Sequence, residues 1–235
     1  MSNEDLTQAD LDALREFDTP TICNSLELLA PERRGYGYTV DPLICSYPDL
    51  PPMVGYARTA TIRAMHPAQF PADEMKARRI AYFEYVEMHP RPSIIVVQDI
   101  DQVPGYGSFW GEVQSNVHKG LGALGTITNG CVRDIPDCAE GFQFISGSVK
   151  PSHAFVHVVQ FGTPVTIAGM DVSPDDLIHA DQHGAVVIPK NVARDIPRMV
   201  DLVTRREQVV IKASCKPGFS AAVLKEALMK QEDIH

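Results

Sequence analysis

A β-like run over residues 124–128, which stops at an Asn-Gly pair and leads to Arg133 and Asp134, constrains this chain more than any other stretch. Glu112 stands upstream, with 20 residues between it and Arg133. Arginine can hold a planar carboxylate or enolate through two parallel hydrogen bonds. Aspartate binds hard divalent cations through oxygen. One guanidinium and two acids at predicted element ends therefore suit chemistry on a 2-oxo acid.

Composition narrows the possible classes of protein. The chain has 235 residues, 44% of them hydrophobic and 22% charged, which predicts one folded domain over 1–235. Its net charge of −9 argues against a nucleic-acid partner, because such proteins need a basic face to displace counterions. No apolar run approaches membrane-spanning length, and the polar, acidic start is not typical of a signal peptide. We expect a cytoplasmic protein without a membrane partner.

The five cysteines form no Cys-x-x-Cys pair and no Cys/His cluster with zinc spacing. An odd number of cysteines fits a reducing compartment. Cys131 lies inside the Arg133 segment and could be a nucleophile, although a small buried residue beside a strand end is the interpretation we favour.

Apolar periodicity and turn signals predict an α/β order without internal repeats. Thr7 and Asp10 have the spacing of a capping box, and Thr19 is predicted to cap a second helix that has Pro20 at its first position. The wholly apolar run 93–97 predicts a central strand covered on both faces. Helices are predicted over 7–17, 19–29, 71–88, 111–119, 191–208 and 220–231, and strands over 54–64, 93–97, 124–128 and 142–145. Several short β segments over 154–188 exclude a simple (β/α)8 barrel.

The pattern Glu112-x20-Arg133-Asp134 resembles the acid-x20-Arg-Asp signature of the class II pyruvate aldolases. These are the 4-hydroxy-4-methyl-2-oxoglutarate and 4-carboxy-4-hydroxy-2-oxoadipate aldolases. The glycine-punctuated segment 119–125 and the segment 175–189 are also similar to that family, and the resemblance spans roughly residues 20–210. It implies the swivelling β/β/α fold, a central β core flanked by helices, which the aldolases share with RraA-like regulators of ribonuclease E.

The resemblance also implies roles for individual residues. Asp134 would anchor Mg2+ or Mn2+, and Arg133 would contact the pyruvyl oxygens and stabilise the enolate. Glu112 would organise water at the metal, and the backbone N–H groups of Val113 and Gln114 would bind the substrate carboxylate. An acid on the C-terminal helix, matched here by Glu207, would reach the site of a neighbouring subunit in a homotrimer or homohexamer. The implied activity is cleavage of a pyruvyl substrate, with oxaloacetate decarboxylation from the same site.

Each of these residues also has a structural interpretation. Asp134 could cap a helix, Arg133 could pair with Asp137 or Glu140 at the surface, and Glu112 could interact with a helix dipole. A solvated helix face is the somewhat favoured interpretation for Glu207. Four further residues are weaker candidates, namely the turn acids Asp176 and Asp181 and the possible pocket residues Tyr106 and Trp110.

The histidines do not form a metal-binding pattern. His153 and His157 are four residues apart in an apolar context that predicts a strand, on which they would lie too far apart to chelate easily. His179 and His183 flank Asp181 and are more often packed or surface residues than ligands. The segment 152–160 and the Pro/Gly/Tyr-rich stretch 31–52 differ from the aldolase pattern, so both are candidates for altering substrate selectivity.

Three alternatives remain open beside the aldolase. A non-catalytic RraA-like regulator would bind a protein partner and would not require the complete set of Glu112, Arg133 and Asp134. A methyltransferase is disfavoured, because no Gly-rich nucleotide loop follows the first strand. A related lyase or hydratase acting on another oxo or hydroxy acid cannot be separated from the aldolase by these residues.

Overall fold

The computed structural model describes residues 6–234, which form a mixed sheet flanked by helices. The helices of this part are α1 (Gln8–Arg15), α2 (Thr19–Leu29), α3 (Ala72–Glu87), α4 (Glu112–Gly120), α5 (Ile196–Ser214) and α6 (Ala221–Glu232). The strands are β1 (Ile44–Cys45), β2 (Met53–Arg63), β3 (Ser93–Asp99), β4 (Ala123–Val132), β5 (Gln143–Val149), β6 (His157–Phe161), β7 (Val165–Ile167), β8 (Met170–Val172), β9 (Leu177–Asp181) and β10 (Gly184–Ile188). This architecture confirms the predicted β core flanked by helices.

The main sheet has the strand order β1-β5-β4-β3-β2-β9-β10, and β6 also pairs with β2. Strands β2, β3, β4 and β5 run parallel, whereas β1, β6, β9 and β10 are antiparallel to their neighbours. Strands β7 and β8 form a separate hairpin. Because the central strands are parallel, their carboxyl ends lie at one edge of the sheet, and β4 delivers Arg133 there.

Strand β3 lies at the centre of the molecule, as the apolar run predicted. Ile94 and Val96 pack into the core on one face, together with the β7–β8 hairpin. Ile95 and Val97 belong to a second core on the other face, which contains α3 and many aromatic rings. All four side chains are fully buried. At about 1.5–3 kcal/mol for each buried aliphatic side chain, the run contributes substantially to the core.

The N-terminal helices confirm one predicted cap and correct another. Thr7 and Asp10 form the capping box, with each backbone N–H bonded to the side chain of the other residue. Thr19 is not the cap of α2, because the Asp18 carboxylate accepts the Thr21 N–H at 2.9 Å. Thr19 is instead the first helical residue, and its own N–H donates to Asp181 at 2.9 Å. The cap was therefore predicted one residue too late.

Strand β4 is longer than the prediction, since it continues through the Asn-Gly pair to Val132. The Asn129 side chain accepts the Asp99 N–H at 2.7 Å and donates to the Asp99 carbonyl at 3.0 Å, which replaces a backbone partner on β3. A methyl group on Gly147 of β5 would lie 2.3 Å from the Asn129 carbonyl. The glycine therefore lets β5 follow β4 closely past the irregularity.

The C-terminal helices pack as predicted, with shifted ends. The first begins at Ile196, later than expected, and continues to Ser214, whereas the second agrees with the prediction. The 31–52 stretch is mostly irregular and contains a short 3-10 helix, Pro31–Arg33, and the short edge strand β1. Among the described residues, no helix is both long enough and apolar enough to cross a membrane.

Candidate active site

A backbone contact brings the two halves of the sequence motif together. Trp110 forms an isolated parallel bridge with Val132, and the Arg133 N–H donates to the Trp110 carbonyl at 3.1 Å. Gly111 and Glu112 therefore lie beside Arg133 and Asp134, although they are distant in sequence. Glu112 begins α4, and Arg133 and Asp134 directly follow β4, so these residues lie at element ends as predicted.

Asp134 adopts a left-handed backbone conformation, with φ 55°. Aspartate tolerates this region better than most residues, and such local strain is common at functional sites. Its side chain makes no helix-capping hydrogen bond, and only a short 3-10 turn, Ile135–Asp137, follows. The interpretation of Asp134 as a helix cap is therefore wrong.

Gly111 provides the space that the Asp134 carboxylate occupies. A methyl group on Gly111 would lie 2.6 Å from Asp134 Oδ2 and 3.2 Å from Arg133 Cγ. The Arg133 Nε lies 3.4 Å from the same Oδ2 atom. No salt bridge from Arg133 to Asp137 or Glu140 is present. Arg133 and Asp134, together called the dyad below, each keep more than a third of their side-chain surface exposed (36% and 38%).

Hydrogen bonds from Tyr47 and from α4 hold the turn that follows Arg133 and Asp134. The Tyr47 hydroxyl donates to the Ile135 carbonyl, and Gln143 bonds both the N–H and the carbonyl of Tyr47. Ser115 of α4 accepts the Ala139 N–H at 2.9 Å. The 31–52 stretch thus supports the site through Tyr47, whose hydroxyl pKa burial raises to about 12. At neutral pH this hydroxyl is therefore protonated and donates.

The first turn of α4 offers free backbone donors at the same place. Its first intrahelical bond runs from the Ser115 N–H to the Gly111 carbonyl, so the N–H groups of Glu112, Val113 and Gln114 precede the helical ladder. A helix start with free N–H groups and its positive dipole end attracts a carboxylate. This geometry fits the prediction that Val113 and Gln114 bind a substrate carboxylate.

A buried network holds the Gln114 backbone in place. His118 Nδ1 lies 2.7 Å from the Gln114 carbonyl, so Nδ1 carries the proton, because a carbonyl can only accept. His118 Nε2 then accepts from the Tyr82 hydroxyl at 2.8 Å. Burial lowers the pKa of His118 to about 4, which keeps the ring neutral at pH 7. Neither Tyr82 nor His118 was among the sequence candidates, because their pairing depends on the packing of α3 against α4.

The dyad and the start of α4 open into a pocket of about 430 Å3, a volume typical of small-molecule sites. Its wall combines the predicted residues with side chains from α3 and from the 153–158 segment. The pocket is lined by Ala68, Phe70, Met75, Arg78, Arg79, Tyr82, Phe83, Ser108, Phe109, Gly111, Glu112, Val113, Gln114, Arg133, Asp134, His153, Val156, His157 and Val158. Five of the six predicted site residues therefore share one cavity.

His153 and His157 are pocket residues that the sequence interpretation dismissed. The strand β6 begins only at His157, and residues 153–156 form a turn that folds both imidazoles into the wall. His153 Nδ1 donates to the Ala154 carbonyl at 2.7 Å, and His157 Nδ1 donates to the Phe155 carbonyl at 2.8 Å. The prediction of a strand over both histidines is wrong. Ala154 has φ 46°, and an alanine in that left-handed conformation gives no sequence signal.

Glu207 is the predicted residue that the fold of one chain does not bring to the pocket. It lies on α5, where its Oε1 atom is 3.5 Å from Asn24 Nδ2 of α2, and it is not part of the pocket wall. A role for Glu207 at this pocket thus requires a second subunit, as the sequence interpretation assumed.

The remaining candidates have structural surroundings. Asp181 is buried. Burial tends to raise its pKa, but hydrogen bonds from Thr19 and His183 outweigh this effect and lower it. Asp176 accepts the Ser173 N–H at 2.8 Å in a turn. Cys131 is buried, and burial raises the pKa of its thiol, which disfavours a nucleophile.

Two aromatic candidates and His179 also lie apart from the pocket. Trp110 belongs to the aromatic core, and Tyr106 is half exposed outside the pocket wall. His179 is fully buried and bonded to Thr19 and to the Phe17 carbonyl.

The residues of the pocket fit a loosely held hard cation rather than a protein cage. Among residues 6–234, no group of three His, Cys, Asp or Glu side chains is arranged to hold a metal ion. The carboxylate of Asp134 nevertheless faces an open cavity, with Glu112 in the same wall. One carboxylate beside space for water and an oxo acid is a common arrangement for Mg2+.

A family model described as RraA-like, Aldolase/RraA, matches residues 10–187. The chain belongs to the RraA-like family. The match includes β2 to β10 and every pocket residue, whereas α5 and α6 lie beyond it. Membership confirms the resemblance inferred from the Glu112, Arg133 and Asp134 spacing. The description covers both aldolases and RraA proteins, so it establishes the family without choosing between the two activities.

Two solved structures share the fold. An uncharacterised protein from Pseudomonas syringae pv. tomato is 22% identical, with a TM-score of 0.71, over 98% of this chain and 97% of its own. RraAS2 of Streptomyces coelicolor, described as an unusual member of the RNase ES inhibitor RraA family, is 23% identical, with a TM-score of 0.65, over 91% and 99%. At these identities the likeness concerns the fold alone.

Another relative is similar to a shorter part of this chain. Protein DlpA of Legionella pneumophila is 26% identical over 120 residues, which are 48% of this chain. The chain spans only 18% of the length of DlpA.

Proposed function

We propose that this RraA-like protein is a divalent-metal-dependent lyase that cleaves a carbon–carbon bond of a 4-hydroxy-2-oxo acid and releases pyruvate. The observation that most supports the proposal is the position of Arg133 and Asp134 at the free N–H groups of α4, in one pocket with Glu112. A guanidinium, helix N–H donors and a carboxylate are together what the carboxylate, oxo group and cation of such a substrate require.

The N–H groups of Val113 and Gln114 would bind the substrate carboxylate and fix its orientation. The metal, held by Asp134, would supply Lewis-acid polarisation of the 2-oxo group. Arg133 would donate to the 2-oxo oxygen and stabilise the negative charge that develops there. Electrostatic stabilisation of this kind is usually a large catalytic contribution.

The reaction needs one proton to move twice. In the retro-aldol direction the 4-hydroxyl loses its proton and becomes a carbonyl, the C3–C4 bond breaks, and its electron pair forms the pyruvate enolate. Glu112 would orient the water that takes this proton and returns it to C3. Oxaloacetate would lose CO2 through the same C3–C4 cleavage and form the same enolate, so the pocket would catalyse both reactions.

The proposal includes a homotrimer or homohexamer in which Glu207 of a neighbouring chain approaches the pocket. Its support is the location of Glu207 on α5, away from the pocket of its own chain. The five cysteines are all unpaired, as expected for the reducing cytoplasm in which we propose that the enzyme works.

The test is pyruvate release from 4-hydroxy-4-methyl-2-oxoglutarate and from oxaloacetate, with Mg2+ or Mn2+ and then with EDTA. We expect metal-dependent turnover that is lost in Asp134→Ala and retained in Asp137→Ala, which removes an exposed carboxylate three residues away. Metal binding, measured by titration calorimetry, should be lost in the same variant. Absence of both turnover and metal binding would overturn the proposal and favour a non-catalytic RraA-like regulator.

A further inference from the structure

The pocket has a second half that the pyruvyl chemistry does not use. The proposed chemistry occupies the dyad and the first turn of α4. The rest of the wall comes from α3, the loop before it and the 153–158 segment. Residues 71–80 are all exposed, so the first part of α3 contributes to this wall without entering the core.

Two neighbouring arginines of α3 differ in what they contact. Arg78 donates to Glu74 at 2.9 Å and stacks over Phe70, with its guanidinium carbon 4.0 Å from the ring centroid. Arg79 lies over Phe83 at 5.9 Å, and no carboxylate of the described residues forms a salt bridge with it. Arg78 therefore has a carboxylate partner on its own helix, whereas Arg79 presents a guanidinium at the pocket without one.

The charged side chains of the pocket wall have a net positive charge, whereas the whole chain has a net negative charge. The pocket wall carries three guanidiniums, from Arg78, Arg79 and Arg133, and two carboxylates, from Glu112 and Asp134. The chain itself has a net charge of −9. Asp134 lies against Arg133 at 3.4 Å, so the positive charge of Arg79 has no partner within the wall. A cation kept unpaired in a cleft of an acidic protein attracts anions there.

Apolar side chains line the same half of the pocket. Phe83, Phe109, Val156 and Val158 contribute apolar surface to the wall that Arg79 shares. Such surface suits methylene groups rather than a chain of hydroxyls. The two imidazoles, His153 and His157, each use Nδ1 to donate to a backbone carbonyl, so Nε2 is the ring nitrogen left for a ligand. A guanidinium is not deprotonated in proteins, so Arg79 is a permanent donor of this half.

Resting on the proposed function, we infer that Arg79 is a specificity-determining residue that binds a second anionic group at the far end of the substrate. The substrate class is a 2-oxo acid in which a short apolar stretch separates the pyruvyl end from a carboxylate or a phosphate. Arg133 and the α4 N–H groups bind the pyruvyl end. Arg79 binds the distal anion with its planar guanidinium, a geometry suited to either oxyanion.

The experiment compares two ligands that differ in one group. 2-Oxoadipate and 2-oxohexanoate have the same carbon chain, but only the first ends in a carboxylate. Binding to the full chain with Mg2+ is followed by titration calorimetry and by the fluorescence of Trp110, the only tryptophan. The variants are Arg79→Gln and, as a matched control, Lys76→Gln, which removes one charge from an exposed position of α3 outside the pocket wall.

We expect 2-oxoadipate to bind about tenfold more tightly than 2-oxohexanoate, the factor that ~1.4 kcal/mol represents. Arg79→Gln should remove this preference by weakening 2-oxoadipate alone, and Lys76→Gln should preserve it. A third ligand, 2-oxo-5-phosphonopentanoate, keeps the three methylene groups of 2-oxoadipate and carries a phosphonate in place of the distal carboxylate, so tighter binding of it than of 2-oxoadipate would assign the subsite to phosphate.

The outcomes distinguish this inference from the function on which it rests. Equal affinity for both ligands, with binding lost in Arg133→Met, overturns the role of Arg79 and leaves the lyase proposal standing. The role of Arg79 is likewise overturned if Lys76→Gln and Arg79→Gln reduce the preference equally. If none of these oxo acids binds when metal is present, the lyase proposal is overturned together with the inference.

Discussion

Arg58 and Arg133 each lie beside an aspartate with a left-handed backbone, Asp175 at φ 66° and Asp134 at φ 55°. Arg58 is fully buried, forms a salt bridge with Asp175 and stacks over Tyr85. Its guanidinium also donates to the backbone carbonyls of Ala57, Met88 and Pro90, the latter two at 2.8 and 3.1 Å. Among residues 6–234, the Arg133 guanidinium forms one salt bridge, the 3.4 Å contact with Asp134, and its side chain is partly exposed.

The difference distinguishes an arginine that joins segments of the fold from one that is available to a ligand. Four acceptors use most of the donors of Arg58, so no ligand can reach them. Both terminal nitrogens of Arg133 lack a hydrogen-bond acceptor among residues 6–234, and Arg133 lines an open pocket. A guanidinium that the fold leaves unsatisfied at a cavity is available to a ligand, whereas a satisfied and buried one joins segments of the fold.

The largest expected effect is on catalysis. Arg133→Met should lower the kcat/KM of pyruvate release about 10³-fold, because it removes the donor to the developing oxyanion. Thermal unfolding should change little, since the side chain is partly exposed and its contact with Asp134 is weak. The measurement pairs steady-state kinetics with thermal unfolding of the same preparation. A large loss of stability at unchanged turnover would reverse the comparison.

Arg58→Met should show the opposite behaviour. The substitution leaves buried carbonyls and Asp175 without their donor, which should lower the free energy of unfolding by about 3 kcal/mol. Urea denaturation measures the change. Arg63→Met, on the same strand but at an exposed position, is the control and should shift the midpoint little. If Arg58→Met proves as stable as the control, the structural role assigned to Arg58 is wrong.

The buried His118 network behind the site is expected to contribute to stability, as Arg58 does. The pH dependence of the free energy of unfolding tests this expectation. Burial lowers the pKa of His118 to about 4 from the ordinary value of 6.5. The unfolded chain therefore binds this proton first, so the contribution of His118 to stability is complete above pH 6.5 and is lost as the pH falls toward 4. The loss amounts to roughly 3 kcal/mol, at 1.36 kcal/mol for each pKa unit.

Urea denaturation between pH 4 and 7 measures this loss, and His118→Gln should flatten the profile. Burial also lowers the pKa of His179, which titrates in the same sense, so part of the slope should remain in the variant. An identical slope in wild type and His118→Gln would show that His118 does not carry the effect.

The smallest expected effect is on metal binding, through the space that Gly111 leaves for the Asp134 carboxylate. Gly111→Ala places a methyl group 2.6 Å from Asp134 Oδ2, so the carboxylate must rotate away. Gly111 has an extended φ of −178°, which alanine can adopt, so stability should change by less than about 1 kcal/mol. We expect roughly tenfold weaker metal binding, measured by titration calorimetry. Gly120→Ala, which has open space around it, serves as the control.

Sequence alone predicted the parts of the molecule that local chemistry determines. The apolar run of β3 required cover on two faces, and the Thr7–Asp10 spacing specified a capping box. The 20-residue spacing from Glu112 to Arg133 indicated the family to which the chain belongs. Each of these signals depends on residues close in sequence or on a recognisable spacing.

The errors arose where distant residues decide the local structure. The Asn-Gly pair is typical of a strand end, but the Asn129 side chain bonds Asp99 and lets β4 continue. The residues around His153 predict a strand, but the left-handed Ala154 turns this histidine into the pocket. Arg79 had no signal at all, because its importance depends on an unpaired charge at a cavity that only the packing of α3 creates.

The exposed first part of α3 has a consequence for how new selectivity can arise. Between Ala72 and Glu87 only Tyr82 and Val86 are buried, so substitutions over 72–80 scarcely disturb folding. Those same positions carry Met75, Arg78 and Arg79 into the pocket. A designer, or natural drift, can therefore exchange this short helical segment to change which ligands fit the pocket, while Arg133, Asp134 and the sheet beneath them remain untouched.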